Sequence, residues 1–164
     1  LETSFLVVVL PPFFRNLNKR LVKTPKLYFT DAGLAAWLLG VREPAQLRSH
    51  PLRGALHETW VVAELLKAAH HAGAPPALSF YRTRDGTEVD IIAETPRGCI
   101  AIEVKSGATV AGDFFDGFAP LRADLGKELK ECWLVYGGDR TARRREARVL
   151  PWSGIGELGT AIAG

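Results

Sequence analysis

The sequence predicts an α/β fold because helical and strand-like apolar patterns follow one another along it. Beyond residue 50, apolar residues first recur at helical spacing, then form three strand-like runs, then repeat a helix and a strand. This alternation is typical of α/β domains. The chain has 164 residues, of which 47% are hydrophobic and 24% charged, so it can bury one hydrophobic core.

A shorter unit precedes this domain. An apolar run that ends at Pro11 predicts a strand, KLYF at 26–29 predicts a second, and Asp31 is placed to cap a short helix. The two strands flank a basic connector, a layout that resembles the wing of a winged-helix domain. We therefore divide the chain into residues 1–45, the end of a winged-helix-like region, and residues 46–164, the α/β domain.

The strongest helical pattern covers residues 51–71. Glu64 and Lys67 have the spacing of an exposed helical ion pair. Glu58, in contrast, falls within the apolar stripe, and a carboxylate on a buried face requires a compensating partner. The stripe comprises Ala55, Glu58, Val61, Val62, Leu65 and Ala69.

Beyond residue 71, the helices and strands are predicted from shorter apolar patterns. LSFYR at 78–82 predicts a strand, and the Asp-Gly pair in TRDGT predicts a tight turn into the next strand. The remaining predictions are strands at 88–94 and 99–105, a helix within 113–126 weakened by Gly117, a strand at 131–138, and a strand at RVLPW.

Charged residues alternate with apolar ones on the two strands at 88–105. Glu88 and Asp90 share one face of their strand, as do Glu103 and Lys105 on theirs. If TPRG forms the turn, Asp90 faces Glu103 and Glu88 faces Lys105. Two opposed carboxylates repel, and a divalent cation such as Mg²⁺ or Mn²⁺ would remove the repulsion. The pattern predicts a metal site that suits hydrolysis of phosphodiester bonds, with Lys105 aimed at the same volume.

Composition excludes other classes of site. Cys99 and Cys132 lie in apolar runs without zinc-ligand spacing, so we expect reduced core cysteines. No apolar run is long enough to span a membrane, and we expect a cytoplasmic protein. The sequence contains no methionine, and we expect it to be part of a longer protein.

The net charge of +3 is concentrated in two basic clusters. One lies in residues 140–148, which contain five arginines. We expect both clusters to contact nucleic-acid phosphates, with solvated loops that bind nothing as the alternative. The other cluster comprises Arg15, Lys19, Arg20, Lys23 and Lys26.

Two motifs, EVDII and IEVKS, resemble those of the PD-(D/E)xK nuclease superfamily, the restriction-endonuclease-like class with an αβββαβ core. The resemblance implies that Asp90 and Glu103 hold Mg²⁺ or Mn²⁺ and that Lys105 assists attack on the phosphate of DNA. A glutamate from the first core helix often joins such sites, and Glu58 matches that position. Glu88 would be an accessory acid.

A closer resemblance covers nearly the whole chain. The segments NLNKRLVKTPKLYFTDAGLAAWLLG, GALHETWVVAELLK and FYRTRDGTEVDIIAE are similar to the C-terminal region, a domain of unknown function, of a group of prokaryotic AAA+-type ATPases. The chain has no GxxxxGK[ST] motif, so we expect the ATPase to lie outside it. The group usually has an aromatic residue at the position of His57. A homodimer is left open.

Several alternatives remain at the level of the sequence. The charged strands could be a solvent-facing edge with ordinary ion pairs, or the fold could be a catalytically silent module that binds DNA or a protein partner. Arg82 and Arg84 are candidates for phosphate contact, or for pairing with Glu88. For the four tryptophans, Trp37, Trp60, Trp133 and Trp152, we expect core packing rather than base stacking.

Overall fold

The amino-terminal strands form a two-stranded antiparallel sheet. The computed structural model describes residues 2–13, 24–73 and 77–163. Strand β1 (Val7–Leu10) pairs with β2 (Lys26–Phe29), so that Val7 lies opposite Phe29. The Asp31 side chain accepts a hydrogen bond from the Leu34 amide and caps the helix that follows, as predicted.

A six-stranded mixed sheet is the centre of the described structure. Its strand order is β3-β4-β5-β6-β8-β7. The β5–β6 and β6–β8 pairs are parallel and the other three pairs are antiparallel, so the fold is mixed α/β. The strands are β3 (Ala77–Arg82), β4 (Glu88–Thr95), β5 (Gly98–Lys105), β6 (Leu129–Tyr136), β7 (Ala142–Arg143) and β8 (Arg148–Pro151).

Helices cover both faces of this sheet. One face packs α3 and α5 through residues such as Val61, Leu65 and Leu158, while the other packs α4 through Phe118 and Leu121. The α-helices in the described residues are α1 (Ala32–Leu38), α2 (Pro44–Ser49), α3 (Arg53–His71), α4 (Phe118–Leu125) and α5 (Ile155–Ala163).

Helix α3 carries the predicted apolar stripe with one change. Val61, Val62 and Leu65 are fully buried, and Glu58 lies half-buried beside them. Ala55 is exposed, contrary to the prediction, because the buried stripe at the start of the helix runs instead through Leu56 and Thr59. The predicted Glu64–Lys67 ion pair forms on the solvent side.

The register of the charged strands agrees with the prediction over most of their length. Glu94 pairs with Cys99, and pairing continues to Ile91 and Ile102. The paired register ends there, one residue before Asp90 and Glu103. Asp90 Oδ2 instead accepts a hydrogen bond from the Val104 amide at 2.9 Å, so the carboxylate is tied to the neighbouring backbone.

Strand β4 also contains an irregularity at Asp90. On β3, Ser79 pairs with Ile92 and Tyr81 with Val89, so Phe80 faces both Asp90 and Ile91. Two residues against one is the arrangement of a β-bulge, which bends a strand and re-aims its side chains. Strict alternation is therefore broken at the residue that the sequence marks as functional.

The amino-terminal hairpin is attached to the main sheet next to this bulge. The Phe13 amide donates to the Phe80 carbonyl at 2.7 Å, and the Phe80 amide donates to the Pro11 carbonyl at 3.0 Å. Leu10 and Tyr28 join the core between α3 and the sheet. The hairpin thus packs directly on the domain that carries the charged strands.

Several features differ from the sequence prediction. The predicted helix at 113–126 is a short 3₁₀ turn followed by α4, because Gly117 lies against the β4 backbone, where a Cβ would come within 2.2 Å of the Glu88 carbonyl oxygen. Helices α2 and α5 and strand β7 were not predicted. The segments of α2 and β7 are short, at six and two residues, and α5 contains Gly156 and Gly159, which are poor helix formers.

The cysteine and tryptophan predictions have different outcomes. Cys99 and Cys132 are buried and unbridged, as predicted. Trp133 is buried, but Trp37 and Trp152 are 57% and 51% exposed, so core packing was wrong for these two. Trp37 instead packs under the guanidinium of Arg42. Within the described ranges, every helix is too short or too polar to cross a lipid bilayer.

Candidate functional site

Two buried carboxylates lie where β4 begins and β5 ends. The exposed fractions of Asp90 and Glu103 are only 8% and 9%. Lys105 follows Glu103 by two residues on the same face of β5, and its Nζ lies 2.6 Å from Glu103 Oε1. Glu103 and Lys105 therefore share a face, as predicted, and the ammonium is directed toward the buried acids. The ion pairs of Glu88, which was expected to face Lys105, are with Lys26 and Arg82.

A second ammonium group lies among the acids. Lys26 Nζ of β2 is 2.7 Å from Glu88 Oε1, 3.0 Å from Glu58 Oε1 and 3.7 Å from Asp90 Oδ1. It also lies over the Phe80 ring, 5.4 Å from the ring centre. Through this contact, carboxylates from α3 and β4 converge on one point. We call Lys26, Glu58, Glu88, Asp90, Glu103 and Lys105 the acid–lysine cluster.

Tyr28 fixes the carboxylate that comes from α3. Its hydroxyl donates a hydrogen bond to Glu58 Oε1, the oxygen that also faces Lys26. Lys26 and Tyr28 are two residues apart on β2 and so share a face. Strand β2 therefore presents a cation and a hydroxyl donor to the same glutamate.

The environment of the cluster changes the proton affinity of its members. Burial raises the pKa of Asp90 to about 7, and the neighbouring charges of Glu103 and Glu58 contribute. Burial also raises the pKa of Glu103, although Lys105 opposes the change. The pKa values of Lys26 and Lys105 are lowered by burial but raised more strongly by the carboxylates, so both remain charged at neutral pH.

The donor chemistry fits a hard divalent cation, but lysines lie among the donors. Glu103 Oε2 is buried and has no hydrogen-bond partner among the described residues, and such an oxygen is suited to binding a cation. Asp90 and Glu58 supply further carboxylates. Within the described ranges, however, no three acid, histidine or cysteine side chains already surround one ion position. The carboxylates of Glu58, Glu88 and Asp90 are gathered around Lys26 instead.

Only some of the residues predicted to contact nucleic acid lie in the described part of the chain. Arg15, Lys19, Arg20 and Lys23 lie outside the described residues. Arg82 and Arg84 are exposed at the end of the sheet where the acid–lysine cluster lies. Arg82 Nε is 3.5 Å from Glu88 Oε2, so the predicted alternative of pairing with Glu88 applies to Arg82.

Two of the arginines at 140–148, Arg143 and Arg148, lie on strands that β6 separates from β5. Arg143 is on β7, the edge strand three places from β5 in the sheet. Arg148 pairs with Glu157 and lies over the Trp133 ring, 4.1 Å from its centre. The Arg148 guanidinium therefore already has an acidic partner and an aromatic partner within the domain.

His57 faces a different environment from its neighbour Glu58. It stacks on Trp60, and with Arg53 it lines a cavity of about 450 Å³. Burial lowers its pKa, and Arg53 adds to the effect. Its Nε2 is buried without a hydrogen-bond partner among the described residues. A neutral imidazole packed on an aromatic ring can replace the aromatic residue that the resemblance led us to expect.

Sequence analysis missed two members of the site. Lys26 was grouped with the basic connector and expected to contact phosphate, whereas it points into the acids. Tyr28 was assigned no role. The alternation in KLYF could have shown that these residues share a face, but the location of that face depends on how the hairpin packs.

The chain belongs to the family described as a domain of unknown function (DUF4143), whose model matches residues 53–155. This range includes the acids and Lys105 but not Lys26. A second model, also described as a domain of unknown function (DUF8612), matches residues 1–45.

Two mycobacterial proteins are similar to this chain. Uncharacterized proteins of Mycobacterium bovis and Mycobacterium tuberculosis are each 32% identical to it over 109 residues, 66% of this chain. The match spans only 24% of the length of either relative, so most of each relative lies outside the similarity.

Proposed function

We propose that this chain is a nuclease-like domain that hydrolyses phosphodiester bonds, with DNA as the favoured substrate, using Mg²⁺ or Mn²⁺. The observation that carries the proposal is Glu103 Oε2, a buried oxygen without a hydrogen-bond partner among the described residues. It belongs to the carboxylate that Lys105 contacts through Oε1 and whose charge acts on the buried Asp90. Strongly perturbed carboxylates grouped with lysines are typical of catalytic sites.

Each residue has a role that its contacts support. Asp90 and Glu103 would hold the metal, and Glu58, oriented by Tyr28, would hold the metal or a water molecule. When bound, the cation would supply activation of water and neutralisation of charge on the phosphate. Lys105, kept charged by Glu103, would donate hydrogen bonds to a phosphate oxygen as charge develops there.

The element order supports a restriction-endonuclease-like core. Helix α3 is followed by three antiparallel strands, β3 to β5, then by α4 and by β6, which runs parallel to β5. This is the αβββαβ order of that class. Buried reduced cysteines are compatible with a cytoplasmic location.

We also propose that this chain is one part of a larger protein. We infer that this domain acts with an AAA+-type ATPase region, with residues 1–45 as the end of a winged-helix-like connection. Two observations support this inference. The sequence resembles the C-terminal region of AAA+-type ATPases, and the match covers only 24% of each mycobacterial relative.

Metal binding is the first test. We expect calorimetric titration of Mn²⁺ at neutral pH to show one site that Asp90→Asn and Glu103→Gln both abolish. Glu94→Gln is the matched control, because Glu94 lies on the same strand as Asp90 but is exposed at its far end. Binding that survives in both site variants would contradict the proposed ligands, whatever the result with nucleic acid.

A second candidate function has its own support. Lys26 already forms ion pairs with three of the acids, as expected of a catalytically silent module that keeps the fold and binds DNA or a protein partner. Cleavage of single-stranded or duplex DNA in Mg²⁺, lost in Lys105→Met, would rule out this candidate.

A further inference from the structure

Lys26 contacts two of the three residues proposed to hold the metal, Glu58 and Asp90. Its ammonium contacts carboxylates from two elements, Glu58 of α3 and both Glu88 and Asp90 of β4. Side-chain exposure is 22% for Lys26 and 12% for Asp90, so water screens the contacts only in part. An ammonium group in this setting provides the positive charge that a metal would otherwise provide.

The charges at the cluster are nearly balanced without a metal. Four carboxylates, those of Glu58, Glu88, Asp90 and Glu103, face the ammonium groups of Lys26 and Lys105 and the guanidinium of Arg82. A divalent ion added to this set would bring two more positive charges next to Lys26. The lysine and the ion therefore repel each other, and binding of one disfavours binding of the other.

The lysine belongs to a hairpin with its own anchor. Strands β1 and β2 pair with each other, and Pro11 and Phe13, which follow β1, form backbone hydrogen bonds with Phe80 of β3. Tyr28 adds a hydrogen bond from the same strand to Glu58. These anchors do not involve the Lys26 side chain, so its rotation away from the acids would leave them in place.

We propose that Lys26 is a tethered cation that competes with the divalent metal for Glu58 and Asp90 and weakens metal binding until it is displaced. This inference rests on the proposed metal site. It adds a means of regulation: whatever draws Lys26 from the acids, such as a phosphate of bound nucleic acid, opens the site to the ion.

The proposal is tested by removing the charge of Lys26 and measuring the affinity for Mn²⁺ by calorimetry. A protein whose competent state is a small fraction of the population binds more weakly by that fraction. We therefore expect Lys26→Met to bind Mn²⁺ about tenfold or more tightly than the wild type. Lys67→Met, which removes an exposed lysine that pairs with Glu64 on the surface of α3, should leave the affinity unchanged.

A variant with the wild-type net charge shows whether Lys26 blocks the metal position or only weakens the general attraction of the protein for Mn²⁺. Lys26→Met combined with Glu88→Gln keeps the net charge of the wild type and also relieves the repulsion that could unfold the single variant. Tighter binding in this double variant supports a lysine that competes with the metal for its ligands. Affinity equal to or below that of the wild type overturns the inference, because a merely structural lysine would not strengthen binding when removed.

The same series distinguishes failure of the two proposals. Binding in the wild type with no gain in either Lys26 variant overturns the tethered cation and leaves the metal site standing. Binding only in the Lys26 variants, lost again when Asp90→Asn is added, supports both. No binding in any variant overturns the metal site and, with it, the role of Lys26.

Discussion

At the scale of single residues, burial makes the carboxylates of the acid–lysine cluster unusual. Asp90 has a raised pKa because it is buried and lies near Glu103 and Glu58. Lys26 and the Val104 amide favour its charged form but do not fully offset burial. The identity of Asp90, Glu103 and Lys105 as a group could be predicted from alternation along the strands, since side chains two apart share a face.

The Asp90 carboxyl predicts how stability depends on pH. Its pKa of about 7 in the folded protein, against 3.8 ordinarily, means that the folded state binds the proton more tightly. Stability should therefore fall as pH rises from about 4 to about 7. Asp90→Asn should remove most of this fall, at most about 4 kcal/mol. Urea unfolding between pH 4.5 and 7.5 with a chelator present measures it.

The control for this experiment is again Glu94→Gln. Its pH dependence should follow that of the wild type, because the exposed strand end does not share the buried environment of Asp90. Parallel pH profiles for the wild type and Asp90→Asn would contradict the assigned raised pKa. Part of the slope should persist in Asp90→Asn, since burial also raises the pKa of Glu103.

At the scale of elements, irregularities position the site. The bulge at Asp90 and Ile91 breaks the alternation of β4, and the Gly117 turn allows the chain to pass close to Glu88. The strands and the long helix were predictable from their periodicity. The bulge was not, because a bulge depends on pairing with a partner strand, here β3, and leaves no separate sequence pattern.

The close approach of Gly117 to the backbone of β4 can be tested by substitution. In Gly117→Ala, the new Cβ would meet the Glu88 carbonyl oxygen and the Val89 side chain. We expect a loss of about 1–3 kcal/mol in the free energy of unfolding, typical of overpacking. Gly156→Ala in α5 is the control, since nothing lies within 4 Å of its Cβ position and alanine favours a helix by up to about 1 kcal/mol.

Chemical denaturation of the two glycine variants measures both effects. Opposite signs are the expected result: Gly117→Ala less stable and Gly156→Ala as stable as the wild type or more so. A neutral Gly117→Ala would mean that α4 and β4 separate easily at Glu88, which would contradict a rigid approach at this point.

At the scale of the whole molecule, charge is distributed unevenly over the sheet. Acidic groups are concentrated where β4 begins, with Arg82 and Arg84 beside them, while Lys127 and Lys130 are exposed at the opposite end, where β6 begins. If nucleic acid binds at the cluster, phosphates should contact the first pair of basic residues and not the second.

Salt dependence of DNA binding tests this arrangement. Affinity for a mixed-sequence DNA should fall as salt rises, and the slope should decrease by about 1 for each phosphate contact removed. The double substitution Arg82→Gln with Arg84→Gln should therefore reduce the slope by up to about 2. Lys127→Gln with Lys130→Gln should leave it near the wild-type value. Fluorescence anisotropy at several salt concentrations gives both slopes, and an affinity that is flat with salt would contradict nucleic-acid binding.

The sequence by itself determined the mixed α/β class, most of the strands, the long helix and the residues expected to form a site. These follow from local periodicity and from the chemistry of alternating charges. The division at residues 45 and 46 and the catalytic roles stay predictions. Only the tertiary structure decided that Lys26, 32 residues before Glu58, lies among the acids, because contacts between distant segments depend on how the hairpin packs against the sheet.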